Sequence, residues 1–206
     1  MPTAEKLDLY KLYKSEYVTP KTPKMVETKP ALYLSVTGRG EPGSEGFTGA
    51  FGALYSVAFT IKMARKAVGQ DYAVSHLEGL YWMDDKGKDF ATVPPSQWNW
   101  DIIIRVPDFI TEEDLRQAKA ALEKRRGDQQ AEVVKLKPLD EGLCVQMLHV
   151  GPYQEEGKTV AAMEEFARGQ KLALHGLHHE IYLSDPRRVP PERLRTILRH
   201  PVRPDR

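Results

Sequence analysis

An α+β fold, made of a duplicated strand–helix–strand–strand unit closing into a mainly antiparallel sheet, is what this 206-residue sequence predicts. Three observations predict it. Hydrophobic periodicity runs strand, helix, strand, strand, and then does so again. Short signatures recur in step with it: Tyr81-x-x-Asp84 matches Tyr182-x-x-Asp185, Thr37-Gly38 precedes a helix as Val150-Gly151 does, and Ile102–Pro107 resembles Thr196–Pro201. The length, finally, suits one large domain or two small repeated halves. The predicted sheet carries its helices on one face.

Residues 1–30 form an N-terminal arm, interrupted by Pro20, Pro23 and Pro30, with one helical turn at Leu9, Tyr10, Leu12 and Tyr13 docking on the body. The single domain spans 31–202. Its first half, about 31–107, opens with alternation of Leu32, Leu34 and Val36 against Tyr33, Ser35 and Thr37. A helix from about Gly46 to Val68 follows, with an apolar stripe of Phe51, Leu54, Tyr55, Ala58 and Ile61 and Gly69 as its stop. Strands follow at Leu77–Met83 and Trp98–Val106, separated by a turn at Asp84–Lys88. A connecting segment, 111–137, holds a helix capped by Thr111 with Asp114 and closed by Gly127, then a strand at Glu132–Lys137. The second half, about 142–202, repeats the pattern: strand Leu143–Val150, helix to about Arg168, strand 177–183 and a last strand at Thr196–His200.

Composition narrows the function. A net charge of +1 creates no field that would hold nucleic acid or a membrane surface, and the basic runs Lys124–Arg126 and Arg187-Arg188 adjoin a helix end and a turn. Cys144, the one cysteine, excludes an internal disulfide and a thiolate zinc site. No apolar signal core or transmembrane-length run stands out, so the expected setting is the reducing cytoplasm. No cofactor is implied. Gly38-x-Gly40-x-x-Gly43 has dinucleotide-binding spacing, but Glu41 would face the pyrophosphate and Pro42 removes a donor, so it reads as a flexible turn.

The stretch around Glu180 draws the most chemistry together. Strand alternation sets Ile181 and Leu183 on one face and His178, Glu180 and Tyr182 on the other. An acid in mid-strand is unusual, and reads either as an edge residue in water or as a site. Sliding the repeats together places Gly79 opposite Glu180 and Tyr81 opposite Tyr182, which leaves one carboxylate facing open space and assigns Trp82 to the core. His178 and Glu180 are the only neighbours able to chelate together, and a metal would need a third ligand from His149 or His76; no metal is expected. A Gly-x-Ser-x-Gly nucleophile elbow is absent from the sequence. Trp98 and Trp100 form either a core stripe with Ile102 and Ile104 or an aromatic wall for a flat ligand. Gly151-Pro152-Tyr153 sets a phenol just before a helix, either aimed at a cleft or as an ordinary half-exposed tyrosine.

Gly151-Pro152-Tyr153, His179–Pro186 and Leu194–Val202 resemble GyrI-like small-molecule-binding domains, and Trp98-Asn99-Trp100, the length and the leader ending in Val26-Glu27 resemble the stand-alone bacterial branch of that family. The resemblance implies the duplicated fold with a groove between halves, a small-molecule partner that is aromatic, hydrophobic or cationic, and a recognition glutamate at Glu180. Some stand-alone members are cyclopropanoid hydrolases. That chemistry would fall to Glu180 as base and Tyr153 as the group orienting water, with Trp98, Trp100, Tyr182, Tyr81 and Tyr55 as walls and Gly79 as the space opposite the carboxylate. The alternatives are a non-catalytic module that sequesters ligands and a protein-interaction module.

Overall fold

The computed structural model describes residues 6–84, 92–126 and 129–205. Its strands are β1 (Lys24–Glu27), β2 (Ala31–Arg39), β3 (Leu77–Trp82), β4 (Asn99–Val106), β5 (Lys135–Leu139), β6 (Leu143–Val150), β7 (Leu172–Leu174), β8 (His178–Tyr182) and β9 (Arg195–Pro204). Its α-helices are α1 (Leu9–Leu12), α2 (Glu45–Ala67), α3 (Glu112–Arg126) and α4 (Glu156–Gly169). The sheet runs β1-β6-β9-β8-β3-β4-β2-β5, every pairing antiparallel, with β7 attached to β9.

That order is the duplication made visible. The units β2–α2–β3–β4 and β6–α4–β8–β9 meet along β3 and β8, where Gly79 pairs with Glu180 and Tyr81 with His178. Residues equivalent by repeat, Gly79 and Glu180, are also partners across the seam, so the pseudo-twofold axis passes between them. On one face, α2 buries Phe47, Leu54, Val57, Ala58 and Ile61 on Leu34, Val36, Trp100, Ile102 and Ile104. On the same face, α4 buries Met163 and Ala167 on Val145, Leu198 and Val202. The two central strands run between these packed helices. Cα neighbours of α2 in the sheet lie chiefly on β2 and β4, and those of α4 on β6, β7 and β9.

Local sequence explains the element ends. Ser44 accepts the Phe47 N–H at the start of α2, and the Thr111–Asp114 capping box forms at α3, with Asp114 Oδ2 accepting the Thr111 N–H at 2.8 Å. Helix α2 is long and apolar enough to cross a membrane; its inner stripe packs on the sheet, while Tyr55, Phe59 and Met63 are exposed.

Several expectations shift. Tyr55, assigned to the buried stripe of α2, faces outward and stacks on Phe59 at 6.2 Å. Trp82 is half-buried rather than core. Residues 129–133 form a 3-10 turn, so the strand expected at Glu132 starts at Lys135. Strand β9 runs on through Pro201, which pairs with Cys144, to Pro204, because an antiparallel ladder tolerates proline where no N–H is required. Within the arm, residues 24–27 pair with β6 as strand β1. The turn expected at Asp84–Lys88 and the helix stop at Gly127 lie outside the described residues beyond Asp84 and Arg126.

The other face of the sheet is covered by the arm. Asp8 caps α1 through the Tyr10 and Lys11 N–H groups, and Tyr10 stacks on Tyr17 at 3.9 Å. Tyr17 closes over Ile181 and Ile197, while Tyr10, Tyr13 and Leu183 pack around them.

Candidate functional site

Strand β8 presents its residues as alternation requires: His179 and Ile181 are fully buried under the arm, while His178, Glu180 and Tyr182 point to the helix side. On that side the Tyr81 and Tyr182 hydroxyls, related by the pseudo-twofold, share a hydrogen bond of 2.5 Å. Gly79 makes this contact possible, since a Cβ there would lie 2.8 Å from the Tyr182 hydroxyl and from Tyr81 Cε2. The glycine opposite Glu180 therefore houses a tyrosine pair rather than an empty space.

Tyr153, in the 3-10 turn Tyr153–Glu155 before α4, packs its ring edge-on to Tyr182 at 5.9 Å. Burial first, then Glu180, Glu156 and Asp185, push its phenol up to about 12. Tyr81 and Tyr182 are likewise raised, by burial first and Glu180 next. All three phenols keep their protons at neutral pH and can donate hydrogen bonds. All three feel the charge of Glu180.

The first turn of α4 brings in a second carboxylate, Glu156, which is only 7 % exposed. Burial, and after it the charge and hydrogen bonding of Glu180, raise the Glu156 carboxyl well above the ordinary carboxylate range. The cause is plain: among the described residues neither glutamate has a lysine or arginine partner, and two close buried carboxylates cannot both ionise cheaply. His178 Nε2 lies 3.4 Å from Glu180 Oε1. The ligand atoms of Glu156, His178 and Glu180 all lie within 4.8 Å of one another.

Glu180, Tyr153, Tyr182, Tyr81 and Gly79 are thus brought together. Trp100 is 4 % exposed, edge-on to Phe47 at 5.2 Å and pressed on Gly38, where a Cβ would come within 2.2 Å of its ring. It shares the core cluster with Tyr81 and Tyr182, beneath α2. Trp98 is half-buried and its indole N–H donates to the Val93 carbonyl. Tyr55 stands on the outer side of α2, close enough to the 185–187 loop for Arg187 and Asp185 to act on its phenol. Surface depressions of about 490 Å³ at Ala173, Arg203, Pro204 and Asp205 and about 320 Å³ along α3 lie elsewhere.

Glu156 escaped the sequence reading, although a signal exists: it sits one turn before Val160 and two before Met163, on the buried stripe of α4. An acid on an apolar stripe is the pattern to notice. Also unanticipated is the network on the other face. His179 meets Glu78 at 2.9 Å and Glu141 at 3.0 Å, Glu141 meets Arg199 at 3.2 Å, and Arg199 binds Gln146 and the Glu16 carbonyl. Arg105 joins Glu16 at 2.7 Å and the Tyr17 hydroxyl at 2.9 Å. Burial pulls His179 down, but Glu141 and Glu78 outweigh it and lift the imidazole to about 9. Burial works against Glu141 too, and His179 with Arg199 overcomes it, holding that carboxyl at about 2.

Solved structures agree with this architecture. An uncharacterised conserved protein from Listeria innocua is 40 % identical, with a TM-score of 0.89 over 96 % of this chain and 100 % of that one. A Listeria innocua protein described as a hydrolase is 38 % identical, with a TM-score of 0.86 over 96 % and 100 %. The EcmrR C-terminal domain is 12 % identical, with a TM-score of 0.57 over 89 % and 98 %, and so shares the fold. No curated protein sequence matches the chain. Residues 21–203 match the GyrI-like small molecule binding domain, and the chain belongs to that family.

Proposed function

We propose that this protein binds flat hydrophobic or cationic small molecules over the central strands β3 and β8, with Glu180 as the charge that recognises them. One observation carries the reading: on the helix side a carboxylate with no lysine or arginine partner among the described residues lies amid three protonated phenols. A charge left uncompensated in so dry a setting is stabilised by a positive or strongly polarised ligand. Tyr153 and Tyr182 offer ring area for flat molecules, and their hydroxyls supply directed donors.

The finer proposal is hydrolysis of cyclopropanoid genotoxins. Glu180 removes a proton from water, the water oxygen bonds to the methylene carbon of the strained ring, and the ring C–C bond breaks. The electron pair passes into the conjugated carbonyl, and the developing oxyanion receives a hydrogen bond from Tyr153 and finally the proton. Two supports are the description of a 38 % identical neighbour as a hydrolase and the packing of Tyr153 on Tyr182, within electrostatic reach of Glu180. The test is incubation of pure protein with a spirocyclopropane dienone, following the ring-opened alcohol. Glu180→Gln should slow product formation by about a hundredfold or more; equal rates would remove Glu180 from the chemistry. Tight binding without product, weakened for cations in Glu180→Gln, would mark a sequestering protein instead.

A further inference from the structure

We propose that Glu156, His178 and Glu180 form a binding site for a small divalent first-row ion, with Zn²⁺ the best-matched species. The site shares Glu180 with the reading above but goes beyond it, because it can fail while small-molecule binding stands. It brings together one imidazole nitrogen and two carboxylates from β8 and the first turn of α4, all offering ligand atoms within 4.8 Å of each other. The donor set is that of zinc sites, which combine histidine nitrogen with Asp or Glu oxygen.

Two further observations point to an ion. The 3.4 Å from His178 Nε2 to Glu180 Oε1 is longer than an ordinary N–H···O hydrogen bond of roughly 2.7–3.2 Å. This one pair matches the edge, about 3.4 Å, of a tetrahedron around a metal bonded at about 2.1 Å, while the trio as a whole spans up to 4.8 Å and would have to close on the ion. Glu156 is 7 % exposed, and its Oε1 has no hydrogen-bond partner. An orphaned carboxylate oxygen beside a second acid, with no lysine or arginine on either among the described residues, is costly unless a cation joins them.

Size selects the cation. The side chains of His178 and Glu180 are 10 % and 13 % exposed, so the gap among the three donors is largely shielded from solvent. A bulky organic cation can meet its outer edge, whereas only a small ion can sit between all three. Ca²⁺ requires six or more oxygens and Mg²⁺ prefers octahedral oxygen with retained waters, so neither suits a three-donor site containing imidazole. Three protein ligands leave a fourth position for water, which is the arrangement of open zinc sites. An ion here would also oppose a cationic ligand at Glu180.

Isothermal titration of chelator-stripped protein with ZnCl₂ tests the site, with MgCl₂ as the comparison and unfolding midpoints read in parallel. The expected result is one Zn²⁺ per chain and no measurable Mg²⁺ binding. Glu156→Gln and His178→Ala should each weaken Zn²⁺ by more than the roughly 10–100-fold typical of losing an outer-shell partner. His200→Ala, whose ring lies 5.8 Å from His178 but outside the trio, should leave Zn²⁺ affinity within about threefold. Glu156→Gln is isosteric, so at least that variant should fold normally. Absence of Zn²⁺ binding, or binding unchanged in both variants, overturns the proposal and leaves the carboxylates sharing a proton only.

Discussion

His179 and Glu180 are consecutive residues on opposite faces of β8, and the two faces treat charge differently. Behind the strand, His179 is enclosed by Glu78 and Glu141, and Arg199 and Arg105 extend the network to Gln146, Glu16 and Tyr17. Each buried charge there has an opposite. In front, Glu180 and Glu156 face each other with His178 and three phenols, and among the described residues no arginine or lysine completes them. The contrast teaches that burial alone does not mark a site. The compensated face holds the strand and the arm in place, and the uncompensated face is where a ligand's charge has something to gain.

Substitutions that break this contrast should separate the faces by sign. The largest effect is expected from Arg199→Ala, which strips Glu141, Gln146 and the Glu16 carbonyl of a shared partner. Removing one member of a buried charge network costs about 3–5 kcal/mol, measured by urea unfolding. Next comes Gly79→Ala, whose Cβ would collide with the Tyr81–Tyr182 pair at 2.8 Å. Overpacking of this kind costs about 1–3 kcal/mol and should weaken ligand binding as well, because the pair must move. Glu156→Gln in metal-free protein should go the other way, leaving stability at neutral pH unchanged or raised, because it removes a carboxyl crowded by burial and by Glu180. Loss of stability in that variant would contradict the idea of an uncompensated face. The smallest effect belongs to Arg187→Ala on the exposed Asp185 pair, which should leave the urea midpoint unchanged.

Acid sharpens the comparison further. Glu141 is held at about 2, below its ordinary 4.5, so its contribution is fully present above pH 4.5. It is lost as the pH falls from there toward 2. Wild type should therefore lose stability through that window, and Glu141→Gln, less stable at neutral pH, should show a shallower acid limb in unfolding at pH 7, 4.5 and 3.

Much of this was legible in the residues. The alternation of His178–Leu183 gave the facing of Glu180, and the repeat paired Gly79 with Glu180, because both signals are local or follow a fixed offset. The charge network behind β8 was not legible, since its members, from Glu16 and Glu78 to Glu141 and Arg199, are scattered along the chain and converge only when the sheet forms. Glu156 was half-legible: its place on the α4 stripe was visible, but Glu155-Glu156 also reads as ordinary acid at a helix start. Tyr55 went astray because a helix stripe read from apolarity alone cannot tell an inner tyrosine from an outer one.

Fluorescence titration with a lipophilic dye cation and its neutral isostere, in wild type and Glu180→Gln, tests the central claim most directly. The account predicts that wild type prefers the cation by about tenfold or more and that Glu180→Gln abolishes the preference while leaving affinity for the neutral dye nearly unchanged. Equal preference in the two proteins would contradict it.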